Sequence, residues 1–224
     1  MKRIILVRHG REEKLKKNVD AFSRSLTKKG VKDARQTAES IKEKISGNMF
    51  FISSPADRAL ETAHIYAEKL NYPPTKILIK DALYNGSKAA ELLQIIRDCS
   101  DSSENVFLFG HNPYLSQFAS FLLKKLKLDI PKSGVVVLEL EQKSWKDIRA
   151  HSAILKYLLY PGSKAKKARA FGRPITEILY RTIMGVLDDF NHEAAESAAK
   201  SVEKHSAKMT EMFFKNPNHK NAVK

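Results

Sequence analysis

The stretch Ile4-Ile5-Leu6-Val7-Arg8-His9-Gly10 decides the fold, because a short apolar run ends there in two cationic or ionisable side chains and a glycine. A run of this length, bounded by polar residues, is typical of a buried strand. Three similar runs follow, at residues 49–52, 76–79 and 106–109. They alternate with longer segments of helical period, so the sequence predicts a three-layer α/β fold with a central, mostly parallel mixed sheet.

The segments between these runs predict four helices that flank the sheet. Apolar residues recur at helical spacing in residues 27–45, 57–70, 87–97 and 113–126. Thr27 is a candidate N-cap for the first of them. A β-branched, apolar segment at residues 134–140 predicts a further strand, and we expect residues 145–153 to pair with it.

The bulk composition is that of a soluble globular protein. Of 224 residues, 42% are hydrophobic and 29% are charged, which predicts a packed core. No stretch approaches the roughly 18 apolar residues of a membrane span. Cys99 is the only cysteine, which excludes an intramolecular disulfide and favours the cytoplasm as the location.

We place the end of the main domain near residue 160, giving a domain of residues 1–160 and a basic, mostly helical C-terminal extension of residues 161–224. The extension holds 12 Lys plus Arg against 7 Asp plus Glu, within a chain of net charge +15. An apolar stripe at residues 175–190 predicts packing on the main domain or on a second copy of it, and the second case would give a homodimer. Aromatic residues are not interleaved with the basic ones, so nucleic acid is not an expected partner.

Chemistry-bearing residues follow three of the predicted strands. His9 follows the first, Arg58 falls in the first helical turn after the second, and His111 follows the fourth. Ligands of open α/β sheets bind at the carboxyl ends of the strands, where these residues meet. A neutral imidazole can attack phosphorus, and an arginine binds two phosphate oxygens at once.

Together these residues resemble a known family. Arg8-His9-Gly10, Ser54-Pro55-x-x-Arg58-Ala59 and Gly110-His111 are similar to the motifs of the histidine phosphatase superfamily, which has a phosphoglycerate mutase-like fold. Arg24-Ser25-Leu26-Thr27-x-x-Gly30, and the Ser133-Gly134 strand followed by Trp145, resemble its SixA-like phosphohistidine phosphatase branch. The resemblance covers about residues 1–160.

The resemblance implies a role for each matching residue. His9 would be the nucleophile that is transiently phosphorylated, and Arg8, Arg24, Arg58 and His111 would hold the phosphoryl oxygens. Such a cationic pocket stabilises the transferring group, so neither a metal ion nor another cofactor is expected. His111 would work protonated beside a bound phosphate, whereas His9 must stay neutral to attack.

A general acid is missing from the two positions at which the resembling esterases carry one. Asn112 follows His111, and Ala82 lies four residues before Gly86. Asp81 is a candidate acid one residue away, and Glu12 or Glu13 is a further one. An alkoxide needs protonation more than an imidazole does, so the missing acid favours phosphohistidine as the substrate.

Two other functions remain open at this stage. One is a phosphomonoesterase that acts on a small or polyanionic metabolite, and the other is a non-catalytic phosphate-recognition protein. The expected partner is accordingly a protein phosphorylated on histidine or a small phosphorylated molecule.

Overall fold

A computed structural model describes residues 1–15, 20–86, 88–123 and 128–161 of the chain. Its centre is a six-stranded sheet in the order β3-β2-β4-β1-β5-β6. The strands β1 to β4 are mutually parallel, and β5 and β6 are antiparallel to their neighbours. Their bounds are β1 (Lys2–Arg8), β2 (Met49–Ser53), β3 (Leu78–Ile79), β4 (Asn105–Gly110), β5 (Val135–Leu140) and β6 (Ala153–Leu159). The predicted α/β class with a mostly parallel mixed sheet is confirmed.

The four predicted helices form; the second has the predicted bounds, and the other three are shorter than the pattern indicated. They are α1 (Lys28–Lys42), α2 (Asp57–Leu70), α3 (Ala89–Arg97) and α4 (Tyr114–Leu122). Thr27 caps α1 as expected, because its hydroxyl accepts a hydrogen bond from the Gly30 amide at 3.0 Å. Residues 124–127 of the predicted fourth helix lie outside the described part of the chain.

The core on one face of the sheet joins α1 and α2 to the central strands. Phe51, Tyr66 and Phe107 are fully buried there. The Tyr66 hydroxyl donates to the Thr37 hydroxyl at 2.7 Å, which links the two helices inside the core. Burial of Tyr66 raises the pKa of its phenol, against the smaller effect of this hydrogen bond.

Two strand predictions were wrong in their extent. Within residues 76–79 only Leu78–Ile79 is a strand, because Pro74–Lys76 forms a 3₁₀ turn opened by proline. The strand that pairs with β5 is β6, which shares only Ala153 with the predicted residues 145–153.

Trp145 begins a 3₁₀ turn, and two residues of the loop before β4 hold it by hydrogen bonds. Its backbone amide donates to the Asp101 carboxylate at 2.8 Å, and its indole donates to the Ser103 carbonyl at 3.0 Å. The ring is fully buried. An aromatic residue that resembled the start of a strand is therefore an anchor for the loop before β6.

The predictions for the C-terminal extension concern residues that are not described. Residues 162–224 lie outside the described part of the chain. They include the predicted helices, the apolar stripe at residues 175–190 and the surface that was expected to form the homodimer. Among the helices of the described residues, none is long and apolar enough to cross a membrane.

Candidate active site

The strand ends bring the two histidines together. The His9 amide donates to the Gly110 carbonyl at 3.1 Å, and the Ser54 amide donates to the Phe109 carbonyl at 2.9 Å. These bonds extend the parallel ladder past the ends of β1, β2 and β4. As a result the rings of His9 and His111 lie side by side, with 4.9 Å between their centroids.

The hydrogen bond of His9 defines which ring nitrogen can react. Its Nδ1 lies 2.7 Å from the Gly10 carbonyl oxygen. A carbonyl can only accept, so Nδ1 carries the proton and Nε2 presents its lone pair. Burial, aided by the charges of Arg58 and Arg8 and opposed by the Gly10 carbonyl, lowers the pKa of His9 to about 4. His9 is therefore neutral at neutral pH, and its Nε2 lone pair is free to react.

Gly10 fixes this arrangement because the chain is crowded around it. Its amide donates to the Thr62 hydroxyl of α2 at 3.0 Å. A Cβ atom at this position would lie 3.0 Å from the Gly30 carbonyl oxygen and 3.1 Å from a methyl of Leu26. Glycine thus allows the backbone beside His9 to pack against two neighbouring elements.

Three arginines line the same cleft, and each is anchored by a backbone carbonyl. Arg8 donates to the Ile130 carbonyl at 2.7 Å, and Arg58 donates to the Ala21 carbonyl at 2.8 Å. Arg24 reaches the same Ala21 carbonyl at 3.3 Å. Burial, followed by the charge of Arg24, lowers the pKa of Arg58. The predicted arginines are brought together as a preorganised cationic pocket.

One ring nitrogen of His111 has a hydrogen-bond partner, and the other has none among the described residues. Its Nε2 lies 2.8 Å from the Ser54 hydroxyl. The ring of Tyr84 packs against it edge-on, at 5.5 Å between centroids. Burial, aided by the charges of His9 and Arg58, lowers the pKa of His111 to about 3. His111 is thus neutral in the ligand-free protein, and its protonation beside bound phosphate stays a prediction.

Besides Oε2 of Glu12, three buried nitrogen atoms of the pocket have no hydrogen-bond partner among the described residues. They are Nε of Arg8, Nε of Arg58 and Nδ1 of His111. Buried donors without acceptors cost roughly 1–3 kcal/mol each, so natural proteins rarely keep them without a reason. They line a cleft of about 510 Å³. This cleft is suited to a small oxyanion that accepts several hydrogen bonds.

Two residues of the cleft, Glu12 and Lys132, form an ion pair. The Lys132 ammonium nitrogen lies 2.8 Å from each Glu12 carboxylate oxygen. Glu12 also lies 3.4 Å from Arg24 and 3.7 Å from Nδ1 of His9. Burial alone would raise the pKa of Glu12, but the hydrogen bond from Lys132 and the nearby positive charges outweigh it and lower the pKa to about 2. Glu12 is a carboxylate, and not an acid, at neutral pH.

Sequence reasoning found these two residues only in part. Glu12 was one of three carboxyl groups, with Glu13 and Asp81, that were expected to be able to approach the pocket. Lys132 was missed, because a lysine in the turn before an apolar strand has no local pattern that separates it from a surface residue. Only the antiparallel pairing of β5 with β1 brings it to the cleft.

Of the other positions considered for an acid, Asp81 lies in a neighbouring cleft and Asn112 forms a hydrogen bond to a loop. Asp81 is exposed and lines a neighbouring cleft of about 530 Å³, which shares Asn85 with the histidine pocket. The side-chain amide of Asn112 donates to the Asp129 carboxylate at 2.7 Å, which fixes the loop before β5. Glu12 is therefore the one carboxylate among the described residues that line the histidine pocket.

A neutral, oriented imidazole in a pocket of arginines is an arrangement that suits phosphoryl transfer. The model of the histidine phosphatase superfamily, branch 1, matches residues 4–84 of the chain. Over this part of its length the chain is similar to the histidine phosphatase superfamily. No curated protein matches the sequence at a significant level.

Several solved structures share the fold. SixA from Agrobacterium tumefaciens is 22% identical, with a TM-score of 0.59 over 71% of this chain and 98% of that one. The protein histidine phosphatase SixA in complex with tungstate is 18% identical, with a TM-score of 0.61 over 71% and 97%. A mycobacterial glucosyl-3-phosphoglycerate phosphatase is 14% identical, with a TM-score of 0.52 over 73% and 100%. At these identities the likeness establishes the fold alone.

Proposed function

We propose that the protein is a SixA-like protein phosphohistidine phosphatase that works through a phosphorylated His9 and needs no metal ion. The observation that carries the proposal is the pairing of an oriented His9 Nε2 lone pair with the partnerless donors of Arg8, Arg58 and His111. The lone pair supplies the attack on phosphorus. The donors supply the hydrogen bonds that the equatorial oxygens require as charge develops on them.

The reaction has two transfers that use the same groups. In the first, His9 Nε2 forms a bond to phosphorus, and the bond from phosphorus to the substrate nitrogen breaks. In the second, water forms the new bond to phosphorus, and the electron pair returns to His9 Nε2. Because an imidazole is the leaving group in both transfers, one site serves both.

We favour phosphohistidine over a phosphate ester because no protonated carboxyl group lines the histidine pocket among the described residues. An ester releases an alkoxide, which needs a proton from an acid close to the leaving group. Glu12 is ionised, and Asp81 lies in the neighbouring cleft. A protonated phosphohistidine ring releases a neutral imidazole, so this substrate places no such demand on the site.

The proposal is tested by comparing two substrates side by side. We expect rapid release of phosphate from a phosphohistidine peptide, slow hydrolysis of para-nitrophenyl phosphate, and unchanged rates after treatment with a chelator. His9→Ala should abolish both activities, since it removes the nucleophile. The matched control is His64→Ala, which alters an exposed histidine on α2.

The other outcomes separate the alternatives. Fast, His9-dependent ester hydrolysis would contradict the phosphohistidine assignment and indicate a phosphomonoesterase. Phosphate binding without His9-dependent turnover of either substrate would indicate a phosphate-recognition protein. Dependence on an added metal ion would contradict the metal-independent mechanism.

The remaining expectations on partners and location stay proposals. A phosphorylated protein is the proposed partner, and dimerisation through residues 161–224 is proposed from the apolar stripe alone. A cytoplasmic location is proposed from the single cysteine.

A further inference from the structure

We propose that Lys132 is a positioning residue that holds the Glu12 carboxylate away from His9 and thereby keeps the nucleophile unprotonated. The inference rests on the proposed function, in which His9 attacks phosphorus. It assigns a role to an ion pair that the phosphoryl-transfer chemistry does not itself use.

The geometry shows which partner holds the carboxylate. Both oxygens of Glu12 lie 2.8 Å from the Lys132 ammonium nitrogen. The nearer approach to His9 is 3.7 Å, from Oε2 of Glu12 to Nδ1. That distance is too long for a hydrogen bond, and Nδ1 donates to the Gly10 carbonyl instead. Lys132 donates a hydrogen bond to Oε1 of Glu12, whereas Oε2, the oxygen nearer to His9, is paired with Lys132 by charge alone. Lys132 thus competes with a protonated His9 for this carboxylate.

The backbone keeps both ends of the pair in place. The backbone of Glu12 forms an isolated antiparallel β-bridge with Leu26. The adjacent Glu13 amide donates to the Ser25 carbonyl at 2.9 Å. On the other side, the Ser133 amide donates to the His9 carbonyl at 3.0 Å. Lys132 is therefore tied to the nucleophile through its neighbouring residue, and the pair cannot drift independently of His9.

The Glu12 side chain is well placed to change the charge of His9. It is only 10% exposed, so solvent screens its charge weakly. An opposite charge within about 4–6 Å shifts a pKa by about 1–3 units. A carboxylate released by Lys132 could close the remaining gap to Nδ1 and stabilise an imidazolium, which has no lone pair for attack.

Besides Glu12, the charged groups that act on His9 are Arg8 and Arg58, and both act in the opposite direction. Arg8 and Arg58 disfavour the imidazolium, and His111 lies beside the ring. Arg24 contacts Glu12 at 3.4 Å, from the β1–α1 connection. Among the described groups around His9, Glu12 is the one negative charge, so the position of its carboxylate decides the balance.

The experiment measures the pKa of His9 by NMR titration of its ring in the full-length protein, without substrate. Lys132→Met should raise this pKa by about 1–3 units, whereas Lys132→Arg should leave it near the wild-type value. Lys156→Met is the control, because Lys156 on β6 forms an ion pair with Glu139 on β5, at 3.3 Å, and neither residue lines the histidine pocket. If Lys132→Met does not fold, Lys132→Gln carries the same expectation.

A double variant shows whether Lys132 acts through Glu12. In a Glu12→Gln background, Lys132→Met should shift the His9 pKa by less than half as much as in the wild type. An equal shift in both backgrounds would overturn the positioning role, since Lys132 would then act on His9 directly. An unchanged His9 pKa in a folded Lys132→Met protein would also overturn it.

Enzyme activity provides the second readout. With the His9 pKa raised to about 6, kcat/KM of Lys132→Met at pH 5 should fall about tenfold relative to pH 7, while the wild-type value changes little. Because the NMR titration needs no turnover, an inactive protein with the expected shift would contradict the proposed function and leave the positioning role intact.

Discussion

At the scale of single residues, the site depends on which ring nitrogen of each histidine carries its proton. The Ser54 hydroxyl, at 2.8 Å, can donate to Nε2 of His111 while it accepts from the Ala56 amide at 3.3 Å. His111 then carries its proton on Nδ1, the atom without a partner among the described residues. His111 can therefore donate a hydrogen bond from Nδ1 to a phosphoryl oxygen in its neutral form as well as in its protonated form.

Ser54→Ala tests this assignment. The hydrogen bond that fixes the tautomer would be lost, and we expect kcat/KM to fall about fivefold to tenfold, as for a bond of about 1 kcal/mol. Nitrogen NMR should show that the His111 proton redistributes between its ring nitrogens. The control is Ser53→Ala, whose hydroxyl donates to the Ser54 carbonyl at 2.9 Å. An unchanged tautomer in Ser54→Ala would refute the role of Ser54.

The sequence predicted the residues that carry a local signal. His9, Arg58 and His111 each follow a strand of β-type apolar pattern, so the rule that parallel strand ends meet was enough to gather them. Lys132 has no such signal, since its place depends on the order of strands in the sheet. The charge state of Glu12 was equally unpredictable, because it depends on Lys132.

At the scale of secondary-structure elements, helix α2 serves the site twice. Its first turn supplies Arg58, and one turn later Thr62 accepts from the Gly10 amide at 3.0 Å. The Thr62 hydroxyl in turn donates to the Arg58 carbonyl at 2.7 Å. One buried side chain thus links the helix that holds the arginine to the loop that holds the nucleophile.

Thr62→Val removes this link with little change in shape. The Gly10 amide would be buried without an acceptor, which costs about 1–3 kcal/mol of unfolding free energy. We also expect kcat/KM to fall about tenfold to a hundredfold, because His9 would lose its exact placement. Urea denaturation and steady-state kinetics measure the two effects.

The control for Thr62→Val is Ser40→Ala, which removes a hydroxyl that donates to a backbone carbonyl one turn earlier in α1, at 2.9 Å. Its unfolding free energy should change by less than about 0.5 kcal/mol. A Thr62→Val protein of wild-type stability and activity would show that α2 does not position the loop.

Elements were predicted well where the pattern was long, and poorly where tertiary contacts decide. The four helices and the four strands β1, β2, β4 and β5 follow directly from periodicity. Trp145 was misplaced because its bonds to Asp101 and Ser103 come from a loop more than 40 residues earlier. No local pattern reports such a contact.

At the scale of the whole molecule, a strongly basic chain concentrates its specific chemistry in one small cleft. The net charge is +15, yet inside the cleft Glu12 compensates part of the charge of Arg24 and Lys132. The donors without partners belong to Arg8, Arg58 and His111. In the proposed reaction these three residues recognise the phosphoryl group, whereas the basic surface attracts anions in general.

The most direct test of the central claim is to trap the phosphorylated enzyme. Protein mixed with a ³²P-labelled phosphohistidine peptide, quenched in alkali within one turnover and digested, should carry label on the peptide that contains His9, and the label should be lost in acid. His9→Ala should carry none and should not release phosphate. Turnover that persists in His9→Ala, or label on any other residue, would contradict the account.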